Sequence, residues 1–193
     1  GDRHDAARLD QRAGQLEPGR CVVGATCVVL RGCAPQRGRR AADLQLPLLL
    51  GVANGLLARG IRPGDRVATL LKNGIEFVET YFAVAKIGAV MVPVNWRLVA
   101  GEIAYILQDC GARALVYDSD FDAAVNALQG DVHGVLAVQH WLRRENSDAG
   151  APHWAQDYEQ FMATAATEEP PVGAWDNDNL FIMYTSGTTG RPK

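Results

Sequence analysis

From residue 61 onward, short apolar runs alternate with amphipathic segments. The predicted strands span residues 66–71, 89–94, 114–117 and 134–138. Apolar residues at helical spacing predict helices between Asn73 and Gly88 and over residues 101–109, 121–128 and 158–163. Strands separated by helices of this length require parallel crossovers, so the fold class is predicted to be α/β, a parallel doubly wound sheet with flanking helices.

Polar and glycine residues mark the predicted boundaries. Asn73 is expected to cap the helix that follows it, and Gly88 is expected to end that helix. Pro93 is expected to weaken the second strand near its end. Asp118 and Asp120 follow the third strand, where capping of the next helix explains them without a catalytic role.

The region from residue 139 to residue 173 is irregular apart from the helix at 158–163. Trp141 and Trp154, together with Trp175, are expected to anchor loops on the core. The acidic, proline-containing stretch 168–171 predicts a stiff linker. The apolar run Leu180–Met183 then predicts a buried strand.

Composition excludes several classes of protein. Of the 193 residues, 48% are hydrophobic and 21% charged, a balance typical of a soluble globular domain. A net charge of −3 gives no electrostatic footprint for nucleic acid. The longest apolar run, residues 46–53, is too short for a membrane span, and no signal peptide is visible, so a cytoplasmic location is expected.

The cysteines and histidines do not form a metal-binding pattern. Cys21, Cys27 and Cys33 recur every six residues without a CxxC pair, and Cys110 lies at a predicted helix end, so free thiols are expected. The four histidines are scattered and are interpreted as surface residues or residues with satisfied hydrogen bonds. No metal ligand is therefore assigned.

The segment YTSGTTGRPK, residues 184–193, gives the main chemical signal. Four hydroxyls stand among two glycines, and a lysine follows a proline. Glycines let successive backbone N–H groups face one anion, and lysine adds positive charge, so the segment predicts a phosphate-binding loop. The residues assigned to this loop are Thr185, Ser186, Gly187, Thr188, Thr189, Gly190 and Lys193.

The two alternative interpretations of this loop are a surface turn and a Walker A loop. Polar clusters of Ser, Thr and Gly are ordinarily surface turns. A position directly after an apolar run favours a ligand loop instead, because α/β proteins bind ligands at strand ends. The segment is not a Walker A loop, since Gly190 is followed by Arg-Pro-Lys rather than by Lys-Ser/Thr and a helix.

The segment resembles the phosphate-binding signature of the adenylate-forming superfamily, which includes acyl-CoA synthetases, luciferase-like enzymes and peptide-synthetase adenylation domains. Residues 52–67, 73–77 and 92–95 resemble structural stretches of that family, and residues 95–98 slightly favour acyl-CoA ligases. The resemblance covers residues 51–193. It implies a partial AMP-binding domain, the first part of the large amino-terminal domain, without the carboxy-terminal lid.

The resemblance implies a ligase that activates a small-molecule carboxylic acid with ATP and transfers the acyl group to coenzyme A. ATP, Mg²⁺ and coenzyme A are the implied cofactors and co-substrates. The loop is implied to wrap the β- and γ-phosphates of ATP, with Lys193 supplying a mobile charge. The family's magnesium-binding glutamate, ribose-binding aspartate and catalytic lysine follow this loop, so no catalytic residue is assigned and the chain is expected to be inactive alone.

Two functions remain open from the sequence. The chain is either an amino-terminal fragment of an acyl-CoA synthetase or a non-catalytic α/β module of that family that binds nucleotide or a partner. A luciferase-like oxidase has the same loop.

Residues 1–50 form an atypical segment. The family has a β-hairpin and a helix there, whereas residues 31–40 combine four arginines with glycine, cysteine and proline without periodicity. A divergent exposed loop, a basic binding patch and translation in a shifted reading frame all remain open for this segment.

Overall fold

Five helices and five strands make up the described part of the chain. The computed structural model describes residues 46–129, 137–145, 150–171, 174–175 and 177–185. The helices are α1 Leu46–Ala58, α2 Ile75–Lys86, α3 Ala100–Cys110, α4 Asp122–Gln129 and α5 Tyr158–Ala163. The strands are β1 Arg66–Leu70, β2 Val90–Pro93, β3 Ala112–Asp118, β4 His140–Arg144 and β5 Gln156–Asp157. A 3-10 turn, Ser119–Phe121, joins β3 to α4.

The sheet is parallel throughout and has the strand order β2-β1-β3-β4-β5. Its register is fixed by pairs such as Val67 with Met91 and Leu115 with Trp141. The chain moves outward from β1 to β2 and then crosses back to β3. The order therefore reverses between β1 and β3, and the predicted doubly wound α/β fold is confirmed.

Each face of the sheet has its own hydrophobic core, because successive strand residues point to opposite faces. Val67 and Met91 face the core formed with α1, α2 and α5. Ala68 and Leu115 face the core formed with α3 and α4. Both faces are covered by helices, which explains why the central strands are continuous apolar runs.

The apolar run at residues 46–53 begins α1, which has 13 residues. Leu49, Leu50 and Leu56 are buried, and the helix packs against α2 and α5. In the part of the chain that the structure describes, no helix is long and apolar enough to cross a membrane.

The ends of α2 test two predictions. The capping position is Gly74 and no side chain caps the helix, so the expected cap at Asn73 is wrong by one residue. Gly88 follows the helix with φ 69°, a left-handed conformation that favours glycine, so its predicted role at the helix end is confirmed.

The fourth strand lies later than the sequence predicted. Val138 is outside any strand, and β4 occupies residues 140–144, within the region predicted to be irregular. Residues 130–136 lie outside the described range. The short β5 was also missed.

The tryptophans divide into two groups. Trp141 is buried in β4, and Trp154 packs edge-on against it at a centroid distance of 5.7 Å. Trp154 anchors the loop after β4 on the core, as predicted, whereas Trp141 is part of strand β4 and not of a loop. The prediction is wrong for Trp175, which is exposed.

His140 should make folding stability depend on pH. Burial lowers its pKa from the ordinary value of 6.5, an effect that its contact with the Arg59 carbonyl oxygen opposes and the charges of Arg59 and Arg113 reinforce. The unfolded chain then binds the proton more readily, so the free energy of unfolding should fall as the pH drops below about 6.5. Urea unfolding at about pH 7.5 and about pH 5.5 measures this change.

The matched variants for this experiment are His140→Gln and His153→Gln, since His153 is exposed. The decline toward acid pH should be smaller in His140→Gln and unchanged in His153→Gln. Equal slopes in all three proteins would contradict the assignment to His140.

Candidate functional site

The chain reaches the predicted phosphate loop along the edge of the sheet. Phe181 pairs in parallel with Met91 of β2. The Met91 N–H donates to the Leu180 carbonyl at 3.0 Å, and the Ile182 N–H donates to the Met91 carbonyl at 2.9 Å. The apolar segment Leu180–Met183 is therefore extended beside β2. Its predicted burial is wrong, because its side chains are exposed.

Tyr184 fixes the chain immediately before the loop. Its hydroxyl donates to the Asp109 carboxylate at 2.5 Å, and its ring packs against the core under α3. Burial raises the pKa of the Tyr184 hydroxyl, and the hydrogen bond to Asp109 raises it further. The root of the loop is thereby held against the carboxyl end of α3.

Of the residues assigned to phosphate binding, Thr185 lies within the described range, where it is exposed. Ser186, Gly187, Thr188, Thr189, Gly190 and Lys193 lie outside the described residues. The role of the loop therefore stays a prediction.

A cluster of charged side chains occupies the carboxyl edge of the sheet between β1 and β3, where strand order reverses. Asp118 accepts a hydrogen bond from the Lys72 backbone N–H at 3.2 Å. Asp120 pairs with the Lys72 ammonium at 2.6 Å. The predicted capping role of Asp118 is wrong, since no side chain caps the turn at residue 119.

The buried Arg144 of β4 completes this cluster, and the neighbouring buried Arg143 forms a separate group of ion pairs. Arg144 lies 3.2 Å from the Glu76 carboxylate and 3.3 Å from that of Asp118. Arg143 pairs with Asp122 at 2.8 Å and with Glu145. The hydrogen bonds that the Arg143 guanidinium donates to Asp122 are the main cause of the raised pKa of Arg143.

The cluster has the features of a structural network. Burial raises the pKa of Asp118, although the Lys72 N–H and the charge of Arg144 oppose that shift. Asp118, Glu76 and Arg144 are each almost inaccessible to solvent. Because these charges face one another, we assign them to stabilising the fold rather than to catalysis.

The other candidate chemical groups are possible metal ligands and the cysteines. Among the described residues, no group of three or more His, Cys, Asp or Glu side chains could hold a metal ion. Cys110 is a free, half-buried cysteine at the end of α3, and burial raises the pKa of its thiol. The other three cysteines lie outside the described range.

The model of the AMP-binding enzyme family matches residues 49–193. Long-chain-fatty-acid–CoA ligase FadD13 of Mycobacterium tuberculosis is 40% identical over 141 residues, which are 73% of this chain and 26% of that protein. Feruloyl-CoA synthase of an Amycolatopsis species is 41% identical over 145 residues, covering 74% of this chain and 25% of that protein.

Solved structures agree with the fold. The amino-terminal domain of FACL13 from Mycobacterium tuberculosis, bound to an inhibitor, superposes with a TM-score of 0.66 at 38% identity. That match covers 76% of this chain and 34% of the solved domain. The chain thus spans about a quarter of the length of the curated relatives that it matches.

Proposed function

The chain belongs to the AMP-binding enzyme family, and on that premise we propose that it is the amino-terminal part of an ATP-dependent acyl-CoA ligase. The observation that supports this most directly is the family match over residues 49–193, which includes the whole loop from Thr185 to Lys193. The matched relatives are named for a long-chain fatty acid and for ferulate, so the proposal specifies a carboxylic acid and no particular one.

The proposed reaction has two steps. A carboxylate oxygen attacks the α-phosphorus of ATP, the bond from that phosphorus to pyrophosphate breaks, and an acyl-adenylate forms. The thiol of coenzyme A then attacks the acyl carbon, and AMP leaves. The first step brings two anions together, so backbone amides, hydroxyls and Lys193 at the phosphates would lower its barrier by neutralising charge.

The described residues provide no magnesium site. The described carboxylates do not form a cluster of the size that holds a metal ion, and Asp118 is already paired with Arg144.

We predict that the 193-residue chain alone does not catalyse ATP–pyrophosphate exchange with any of a panel of carboxylic acids. The reason is that the chain corresponds to about a quarter of the length of its relatives, and the family resemblance implies a catalytic role for none of its residues. The chain should nevertheless bind ATP, which equilibrium dialysis measures. Lys193→Ala should weaken that binding by about tenfold, the effect of losing one charged hydrogen bond.

Lys86→Ala is the matched control, because Lys86 lies on α2 and pairs with Glu169. Exchange clearly above that of the Lys193→Ala variant would show that the chain is catalytically sufficient. A folded chain that binds no ATP would instead favour a non-catalytic interaction module.

A further inference from the structure

Asp109 occupies an unfavourable position for a carboxylate. It lies in the last turn of α3, where the helix dipole places a partial negative charge, whereas Glu102 lies in the favourable first turn. A cation already meets the end of α3, because the Arg66 guanidinium donates to the carbonyl oxygens of Cys110 at 2.5 Å and Gly111 at 2.9 Å. Residues that break a local preference are often placed for a site elsewhere in the fold.

The hydroxyl of Tyr184 gives Asp109 such a role. It donates to the Asp109 carboxylate at 2.5 Å, a length typical of a hydrogen bond to a charged acceptor. The two residues are 75 positions apart in the chain, so the bond links α3 to a distant segment. The Tyr184 ring also packs against the core under α3. The side chain is therefore held both along its ring and at its hydroxyl end.

Tyr184 lies at the point where the segment beside β2 leads into the phosphate loop. Leu180 and Ile182 make the backbone hydrogen bonds to Met91, and Tyr184 follows two residues later. The next residue, Thr185, is the first residue assigned to phosphate binding. The contact with Asp109 thus extends the attachment of this segment beyond its pairing with β2. Fixing the chain there reduces the conformational entropy that the loop would lose when it binds an anion.

We infer that Asp109 is a positioning residue for the phosphate loop. Through the Tyr184 hydroxyl it fixes the start of the loop before ATP binds, and it raises the affinity for ATP without contacting the nucleotide. This inference rests on the proposed function, because that function assigns ATP to the loop. The gain arises from preorganisation, since the chain at Tyr184 is ordered before the ligand arrives.

The test is ATP binding by variants of the 193-residue chain, measured by equilibrium dialysis. Asp109→Ala and Tyr184→Phe should each weaken ATP binding by about fivefold, the effect of losing one hydrogen bond. The double variant should bind ATP no more weakly than either single variant, because both changes remove the same bond. Asp109→Asn keeps an oxygen that accepts the Tyr184 proton, so it should retain most of the affinity.

Charge and stability provide the controls. Asp109→Ala removes a negative charge, so a general electrostatic effect would strengthen the binding of anionic ATP and not weaken it. Glu168→Ala removes an exposed carboxylate from the stretch after α5 and should not weaken ATP binding. Asp109→Asn should not lower the free energy of unfolding, since a negative charge at the end of α3 is unfavourable. Equal ATP affinity in Asp109→Ala and the unaltered chain would overturn the inference.

Hydrogen exchange without ATP separates the inference from the proposed function. The amides of Tyr184 and Thr185 should exchange faster in Asp109→Ala and Tyr184→Phe, whereas the Ile182 amide should stay protected by Met91. Faster exchange in these variants of a chain that binds no ATP would support the contact and refute the proposed function. ATP binding with the same affinity and exchange in every variant would support the proposed function and overturn the role of Asp109.

Discussion

Replacing Arg144 with methionine is expected to lower the free energy of unfolding by about 3–5 kcal/mol, the range for removing one partner of a buried ion pair. Arg144 contacts both Glu76 and Asp118, and all three side chains are almost fully buried. Methionine fills much of the volume but leaves two carboxylates without their cation. The cost is therefore the uncompensated charge and not a cavity. Urea unfolding followed by circular dichroism measures it.

Two variants test that cause. Arg62→Met removes an exposed arginine and should change the free energy of unfolding by about 0.5 kcal/mol or less. Adding Glu76→Gln and Asp118→Asn to Arg144→Met should restore part of the lost stability, because the carboxylate charges are then gone. A loss no larger than that of Arg62→Met would show that the network contributes little.

Arg143 and Arg144 show why β4 was not predicted from the sequence. In the stretch His140–Arg144, adjacent basic residues resemble a solvated surface segment, and a local pattern contains no information about partners far along the chain. For Arg144 those partners are Glu76 of α2 and Asp118 of β3. Strands β1 to β3 were predicted because their apolar runs are buried on both faces and depend on no such pairing.

The phosphate loop shows the opposite relation between sequence and structure. Its chemistry was predicted from residue types alone, since glycines, hydroxyls and a lysine suit an anion wherever they lie. The burial predicted for the apolar segment before the loop could not be judged from that segment alone, because an apolar segment is buried only if another element covers it. Leu180–Met183 pairs with β2 on one side, and no other described element covers its exposed side chains.

The packing of α1 on α5 leads to the second large prediction, that Gly51→Val lowers the free energy of unfolding by about 3 kcal/mol, at the upper end of the usual cost of overpacking. A Cβ atom at Gly51 would lie 2.7 Å from the Met162 carbonyl oxygen. That oxygen belongs to the backbone of α5, so it cannot move aside as a side chain would. The two helices must therefore separate or tilt to admit the new side chain.

Gly51→Ala refines this prediction, because alanine adds the same Cβ without the two methyl groups of valine and has a higher helix propensity than valine. Its net loss should therefore be smaller than that of valine. At Gly55 the Cβ would lie 2.7 Å from the Phe161 ring. This ring can rotate, or a smaller side chain can replace it. Phe161→Leu should therefore reduce the cost of Gly55→Ala, whereas it should not reduce the cost of Gly51→Val.

The control for these variants is Gly150→Ala, at a position where a Cβ meets nothing within 4 Å. Thermal and urea unfolding measure the stability of all these variants, and Gly150→Ala should be nearly neutral. If Gly51→Val were as stable as Gly150→Ala, the close approach of α1 to α5 would not exist in solution.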